Sequence, residues 1–86
     1  MVISFNKVVR PSEVTWGFIG FDFRQREILG NSFKIEHEGK VYELRINKAG
    51  RVVSKDLVRR ISAMAGMKLT FRKVGEGRFV LTCKAA

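Results

Sequence analysis

The chain is short of the residues that build most enzymes and secreted scaffolds: it has one cysteine, one histidine and one proline in 86 residues. With Cys83 alone no internal disulfide can form, so a reducing, cytoplasmic setting is the expectation. His37 and Cys83 together cannot make a zinc site, where four nitrogen or sulfur ligands are usual, and no metal or cofactor is expected. No apolar run approaches the roughly 18 residues that read as a membrane span. The opening Met1–Lys7 has neither a basic n-region nor an apolar h-region, so no signal peptide is expected. No glycine pattern ends in Gly-Lys-Ser/Thr, and no Gly-x-Gly-x-x-Gly opens a helix.

Acidic residues are the next shortage, and it is uneven. Residues 1–44 balance Lys7, Arg10, Arg24, Arg26, Lys34 and Lys40 against Glu13, Asp22, Glu27, Glu36, Glu38 and Glu43. Beyond residue 44 only Asp56 and Glu76 remain to face the other basic residues, so the whole net charge of +9 lies in the second half. Such asymmetry points to a polyanionic partner.

With 45% hydrophobic residues, a core is within reach for one domain spanning 1–86. A chain of this size also gains stability from a second copy of itself or a bound partner. Val2–Val9 reads as a strand, and Arg10–Glu13 as a turn set by Pro11. Residues 14–29 leave strand and helix open. Trp16, Phe18, Ile19, Phe21 and Phe23 favour a strand bulged at Gly17 or Gly20, with a turn or helical piece over Arg24–Leu29. Phe33–His37, Tyr42–Asn47 and Arg51–Val53 alternate as a three-stranded meander. Ser54 caps a helix whose apolar arc of about 120° takes Leu57, Val58, Ile61, Met64 and Ala65, with Gly66 ending it. Lys68–Val74 and Arg78–Lys84 close the chain as a hairpin around Gly75-Glu76-Gly77. In that register Leu69, Phe71, Phe79, Leu81 and Cys83 share one face and Lys68, Thr70, Arg72, Val74, Arg78, Val80, Thr82 and Lys84 the other. The fold class is α+β: a small antiparallel β-rich domain, β-meander, one amphipathic helix, C-terminal hairpin.

Catalysis finds no convergent set of groups. His37 falls with Phe33 and Ile35, Cys83 with the apolar hairpin face, and Glu36, Glu38 and Glu43 on a solvated face; all read as structural, and the protein is not expected to be an enzyme. Lys68, Arg72, Arg78 and Lys84, with Thr70 and Thr82 between them, suit phosphates. Lys55 and Arg59 on the helix, with Arg51 and Lys48 before it, form a second candidate set. Trp16 and Phe18 are candidates for base stacking or for anchoring a partner, although a small domain needs most of its aromatics inside.

Three short stretches resemble nucleic-acid-binding families without assigning the chain to one. Gly17-Phe18-Ile19-Gly20-Phe21-Asp22-Phe23 resembles the aromatic RNA-binding strand of RRM and cold-shock domains, with Ile19 interrupting the spacing. A meander leading into Ser54-Lys55 is similar to the middle of double-stranded-RNA-binding domains, with Asp56 where a second lysine is expected. Ile46-Asn47, Gly66-Met67 and the final glycine-turn hairpin resemble the DNA-binding double-wing domain of a phage middle-gene activator. The expectation is a nucleic-acid-binding protein, DNA ahead of RNA, in the manner of a small transcriptional regulator with no membrane role. The alternative is an interaction module that binds an acidic protein, or a phage-type inhibitor that blocks a larger host protein or nucleoprotein complex. It would use the Trp16–Phe23 segment as an apolar anchor.

Overall fold

The computed structural model describes residues 3–85; Val2, the expected start of the first strand, lies outside them. Seven strands and three short helices follow one another as β1 (Ser4–Val8), α1 (Pro11–Trp16), β2 (Phe18–Gly20), α2 (Phe23–Leu29), β3 (Ser32–His37), β4 (Lys40–Arg45), β5 (Arg51–Val53), α3 (Lys55–Arg60), β6 (Lys68–Gly75) and β7 (Arg78–Lys84). Five strands form one sheet in the order β1-β6-β7-β3-β4, and β2 pairs with β5 in a separate two-stranded ribbon. Pairing is antiparallel except between β3 and β7. The domain is therefore a β-rich α+β fold.

One face of the large sheet is the core wall. Phe33 and Ile35 of β3, Tyr42 of β4, Leu69 and Phe71 of β6, and Phe79 and Leu81 of β7 are all buried. The strands alternate buried and exposed residues, as a sheet covered on one side must. Against this wall pack Ile19, Val52, Leu29, Leu57, Val58 and Ile61 from the ribbon and helices. Aromatic rings join the layers. Phe5 stacks on Phe71 at 4.9 Å, and Phe21 meets Phe5, Phe33 and Phe71 edge-on at 6.1, 6.4 and 5.5 Å. Such contacts add about 0.5–1.5 kcal/mol each beyond burial.

The residues after β1 correct the expected turn. Pro11 presets φ for the first position of α1, and the Glu13 carboxylate accepts from the Arg10 backbone N–H at 2.7 Å. Gly17, at φ +71, ends the helix. Residues 14–29 are accordingly neither one strand nor one helix. They complete α1, run through three residues of β2, and enter α2 by a reciprocal cap: Gln25 N–H donates to Asp22 Oδ1 at 2.8 Å and Asp22 N–H to Gln25 Oε1 at 3.1 Å. Arg51–Val53 is a strand, as expected, but it leaves the meander to pair with β2.

The last helix is shorter than its apolar arc. Ser54 caps it, its Oγ accepting from Leu57 N–H at 3.2 Å, but Ser62 adopts φ +53 and turns the chain away. Met64 and Ala65 are consequently exposed. The hairpin keeps the expected pairs Lys68↔Lys84, Thr70↔Thr82 and Arg72↔Val80. Near the turn a bulge between Lys73 and Gly75 sets Gly75 opposite Arg78, where Val74 was the expected partner, and tightens the loop to Glu76-Gly77.

Glu13 is the polar tie of the helical layer. Its Oε2 accepts from Gly20 N–H at 2.6 Å and lies 3.0 Å from Lys7 Nζ, with the carboxylate side chain only 3% exposed. One carboxylate thus holds β1, the start of α1 and β2. Breaking a buried charge pair by deleting one partner costs about 3–5 kcal/mol. A domain of this length has a total stability of roughly 4–13 kcal/mol. Glu13→Ala is expected to lower the urea midpoint by about a quarter or more of its value, further than Lys7→Met, which leaves the two backbone donors satisfied. An unchanged midpoint for Glu13→Ala would remove the tie from the account. Gly17 gives a second check. A Cβ there would meet Lys55 Cγ at 2.7 Å, whereas Gly39, at φ +81, has open space around it. Left-handed backbone costs an L-residue about 1–2 kcal/mol at either position. The extra contact should make Gly17→Ala melt below Gly39→Ala by several degrees, at about 4–8 °C per kcal/mol.

Candidate nucleic-acid interface

The outer face of the five-stranded sheet is open. Its side chains follow from alternation: Ser4, Asn6 and Val8 on β1; Lys68, Thr70 and Arg72 on β6; Arg78, Val80, Thr82 and Lys84 on β7; Ser32, Lys34 and Glu36 on β3; Val41, Glu43 and Arg45 on β4. The helices and the ribbon contribute their buried residues to the other side. The four hairpin cations expected to act together, Lys68, Arg72, Arg78 and Lys84, therefore do share one exposed surface.

Pairing between β3 and β7 brings in more charge than the hairpin alone carries. Lys34 lies beside Arg78, and Arg45 pairs with Ser32 at the same end. Glu43 answers Lys34 at 3.4 Å, and Glu36 lies beside Val80. Of the acids expected on a solvated face, Glu36 and Glu43 thus share the hairpin's outer face, while Glu38 lies in the turn after β3. Six cations share that surface with Glu36 and Glu43, and a hollow of about 580 Å³ opens between Lys34, Arg45 and Arg78, lined also by Glu43 and by Glu76 of the hairpin turn. Lys34 and Arg45 were legible as outward residues of their strands. Their place beside the hairpin depends on long-range pairing.

The cations form two groups. Lys68 pairs with Lys84 at one end of the sheet; Arg72, Arg78, Lys34 and Arg45 gather towards the other. Lys68 and Arg72 are four residues apart on β6, a separation of about 13 Å at 3.3 Å per residue. Between the groups runs a neutral row, Asn6, Thr70 and Thr82, in which Thr70 Oγ1 donates to Asn6 Oδ1 at 2.8 Å.

The second candidate set lies in the other layer. Arg51 rests over the Phe18 ring, 4.5 Å from its centroid, which occupies one face of a half-buried ring that stacking would need. Arg51 also lines a cleft of about 490 Å³ with Arg10, Phe18 and Gln25. Lys48 is exposed on the turn before β5. Lys55 and Arg59 line a groove with Trp16, at the junction of α1 and α3. Because α3 packs its Leu57 and Val58 onto the core wall, these residues are separated from the outer sheet face by the core. Trp16 is 70% exposed, as is Phe23, whereas Phe21 is buried. The aromatic segment thus divides between core and surface.

His37 and Cys83 belong to the sheet's own packing. His37 is buried and its Nδ1 pairs with the Leu81 carbonyl at 2.9 Å. Burial and the nearby Glu38 charge raise the Cys83 thiol above its ordinary range, which keeps it protonated and poorly nucleophilic. Among the described residues no helix is long and apolar enough to cross a membrane, and no cluster of three potential metal ligands occurs.

Comparison with known proteins identifies the fold. No family model matches the chain, and no curated protein does. A solved structure, that of a hypothetical protein of Arabidopsis thaliana, superposes with a TM-score of 0.72 over 99% of this chain and 92% of that one, at 10% identity. The two chains share an architecture.

Proposed function

We propose that the protein binds duplex nucleic acid, DNA ahead of RNA, through the outer face of its five-stranded sheet. One observation carries the reading: the Lys68–Lys84 row and Arg72, about 13 Å further along β6, flank a neutral hydroxyl and amide strip, with Arg78 about 20 Å from Lys84 on β7. A B-form major groove is about 12 Å wide between its phosphate backbones. Lys68 and Lys84 would meet one backbone and Arg72 the other, with Arg78 and Arg45 reaching phosphates further along the strands. A-form RNA has a narrow, deep major groove that fits this spacing poorly.

The same geometry limits what the face can read. The groove is about 8.5 Å deep, and a five-stranded sheet is too broad to enter it. Thr70, Thr82 and Asn6 are too short to reach base edges from outside. The contacts are to phosphates, which position a protein but carry no sequence information. Regulation of transcription, on this reading, would come from occupancy or from a second partner.

Five cations with no ion pair among the described residues, on five phosphates, give a log–log salt slope of about −4.5. Arg72→Ala with Arg78→Ala should reduce that slope by about 2 and weaken binding similarly for unrelated duplexes. Fluorescence anisotropy with two duplexes of different sequence, a single strand and an RNA hairpin checks this. Equal affinity of the double variant and the parent at low salt would reject the sheet face.

A further inference from the structure

We infer that the groove between α1 and α3 is a docking site for an acidic protein segment carrying one large apolar side chain. The site is independent of the nucleic-acid surface, on the far side of the core.

The groove has a volume of about 370 Å³, room for one large side chain. Val14, Val58 and Ala63 supply aliphatic surface, and the Trp16 indole, 70% exposed, stands beside them. An exposed tryptophan next to aliphatic side chains is the arrangement on which interface hot spots are built. Nothing in the fold requires that exposure, since Phe5, Phe21, Phe33, Phe71 and Phe79 already supply the aromatic part of the core.

Charge decides the kind of partner. Lys55 and Arg59 line the groove, and no carboxylate does. They are one turn apart on α3, so both can flank a single bound side chain. The nearby helical acid, Asp56, is paired with Lys40 of β4 at 3.1 Å, and Glu13 of α1 is buried in its own contacts. A segment with Asp or Glu on either side of an aromatic or branched aliphatic residue complements this surface in charge and in polarity. A nucleobase fits less well. Its edge groups need hydrogen-bond partners, and the uncharged hydroxyls lining the groove are those of Thr15 and Ser62, of which Thr15 already donates to the Pro11 carbonyl at 3.1 Å.

Trp16 is the only tryptophan, so the protein carries its own reporter. The test pans a phage-displayed library of random 12-residue peptides on the whole protein, then titrates the enriched peptides against Trp16 emission. The free protein should emit at long wavelength and be quenched by iodide. Enriched peptides should carry acidic residues around one large apolar residue, shift the emission to shorter wavelength, and lose tenfold or more affinity on the variant Lys55→Glu/Arg59→Glu. That variant should melt as the parent does and bind duplex DNA through the sheet as before. Replacing the peptide's apolar residue with serine should abolish the spectral shift. Two results would overturn the proposal: no enriched peptide moves the Trp16 spectrum, or a 12-nucleotide oligo(dT) shifts it and displaces the peptide, which would make the groove a second nucleic-acid surface.

Discussion

The arrangement of the helical layer depends on where one carboxylate finds its partners. Glu13 has few ways to be satisfied away from water, and it uses the Lys7 ammonium and the backbone N–H groups of Arg10 and Gly20. Because those partners belong to β1, the entry to α1, and β2, the contact fixes where the ribbon sits relative to the sheet. Ile19 and Val52 then reach the core wall, and Phe21 reaches its three aromatic neighbours. Apolar burial provides most of the driving force, but it is non-directional; the carboxylate selects this arrangement among others of similar burial. The ribbon and helices, once seated, cover one face of the sheet and leave the other bare. The open cationic surface is thus a consequence of which face that layer covers.

The readable parts of the sequence were those where local pattern and tertiary role coincide. The hairpin register followed from its alternation together with the position of the glycine turn, because a one-residue slip would send Leu69 and Phe71 to the face opposite Phe79 and Leu81. The bulge beside Gly75 was hidden, since it alters spacing without altering pattern. The last helix was overextended for a related reason: Met64 and Ala65 fit its arc, but periodicity is blind to the backbone reversal at Ser62. Residues 14–29 resisted because helices of six and seven residues span too few turns to display a period. The Asp22 and Gln25 spacing is a helix-start signature present in the sequence, and it marks the entry to α2. The partner of Arg51–Val53 is a strand more than thirty residues earlier, which alternation within the segment does not encode.

For the surface, alternation gave the direction of each side chain and left its neighbours undetermined. The hairpin cations were legible as a set. Lys34 and Arg45 joined them only through the parallel pairing of β3 with β7. The converse holds for Lys55, Arg59 and Trp16: composition groups them with the other basic and aromatic residues, and the core separates them from the sheet face. The net charge is therefore spread over two surfaces with different companions, threonine and asparagine on one, tryptophan and aliphatic side chains on the other. Different companions suit different partners, phosphates in the first case and an apolar anchor with acidic flanks in the second.

Nuclear magnetic resonance of the isotopically labelled protein, titrated with a 16-base-pair duplex at low salt, tests the central claim most directly, because it reports every surface at once. The account predicts that the amide and side-chain signals of Lys68, Thr70, Arg72, Arg78, Thr82 and Lys84 move, with those of Lys34 and Arg45, while the Trp16 indole and the Arg59 signals stay in place. Shifts concentrated at Arg10, Lys48 and Arg51, with the outer sheet face unmoved, would contradict it.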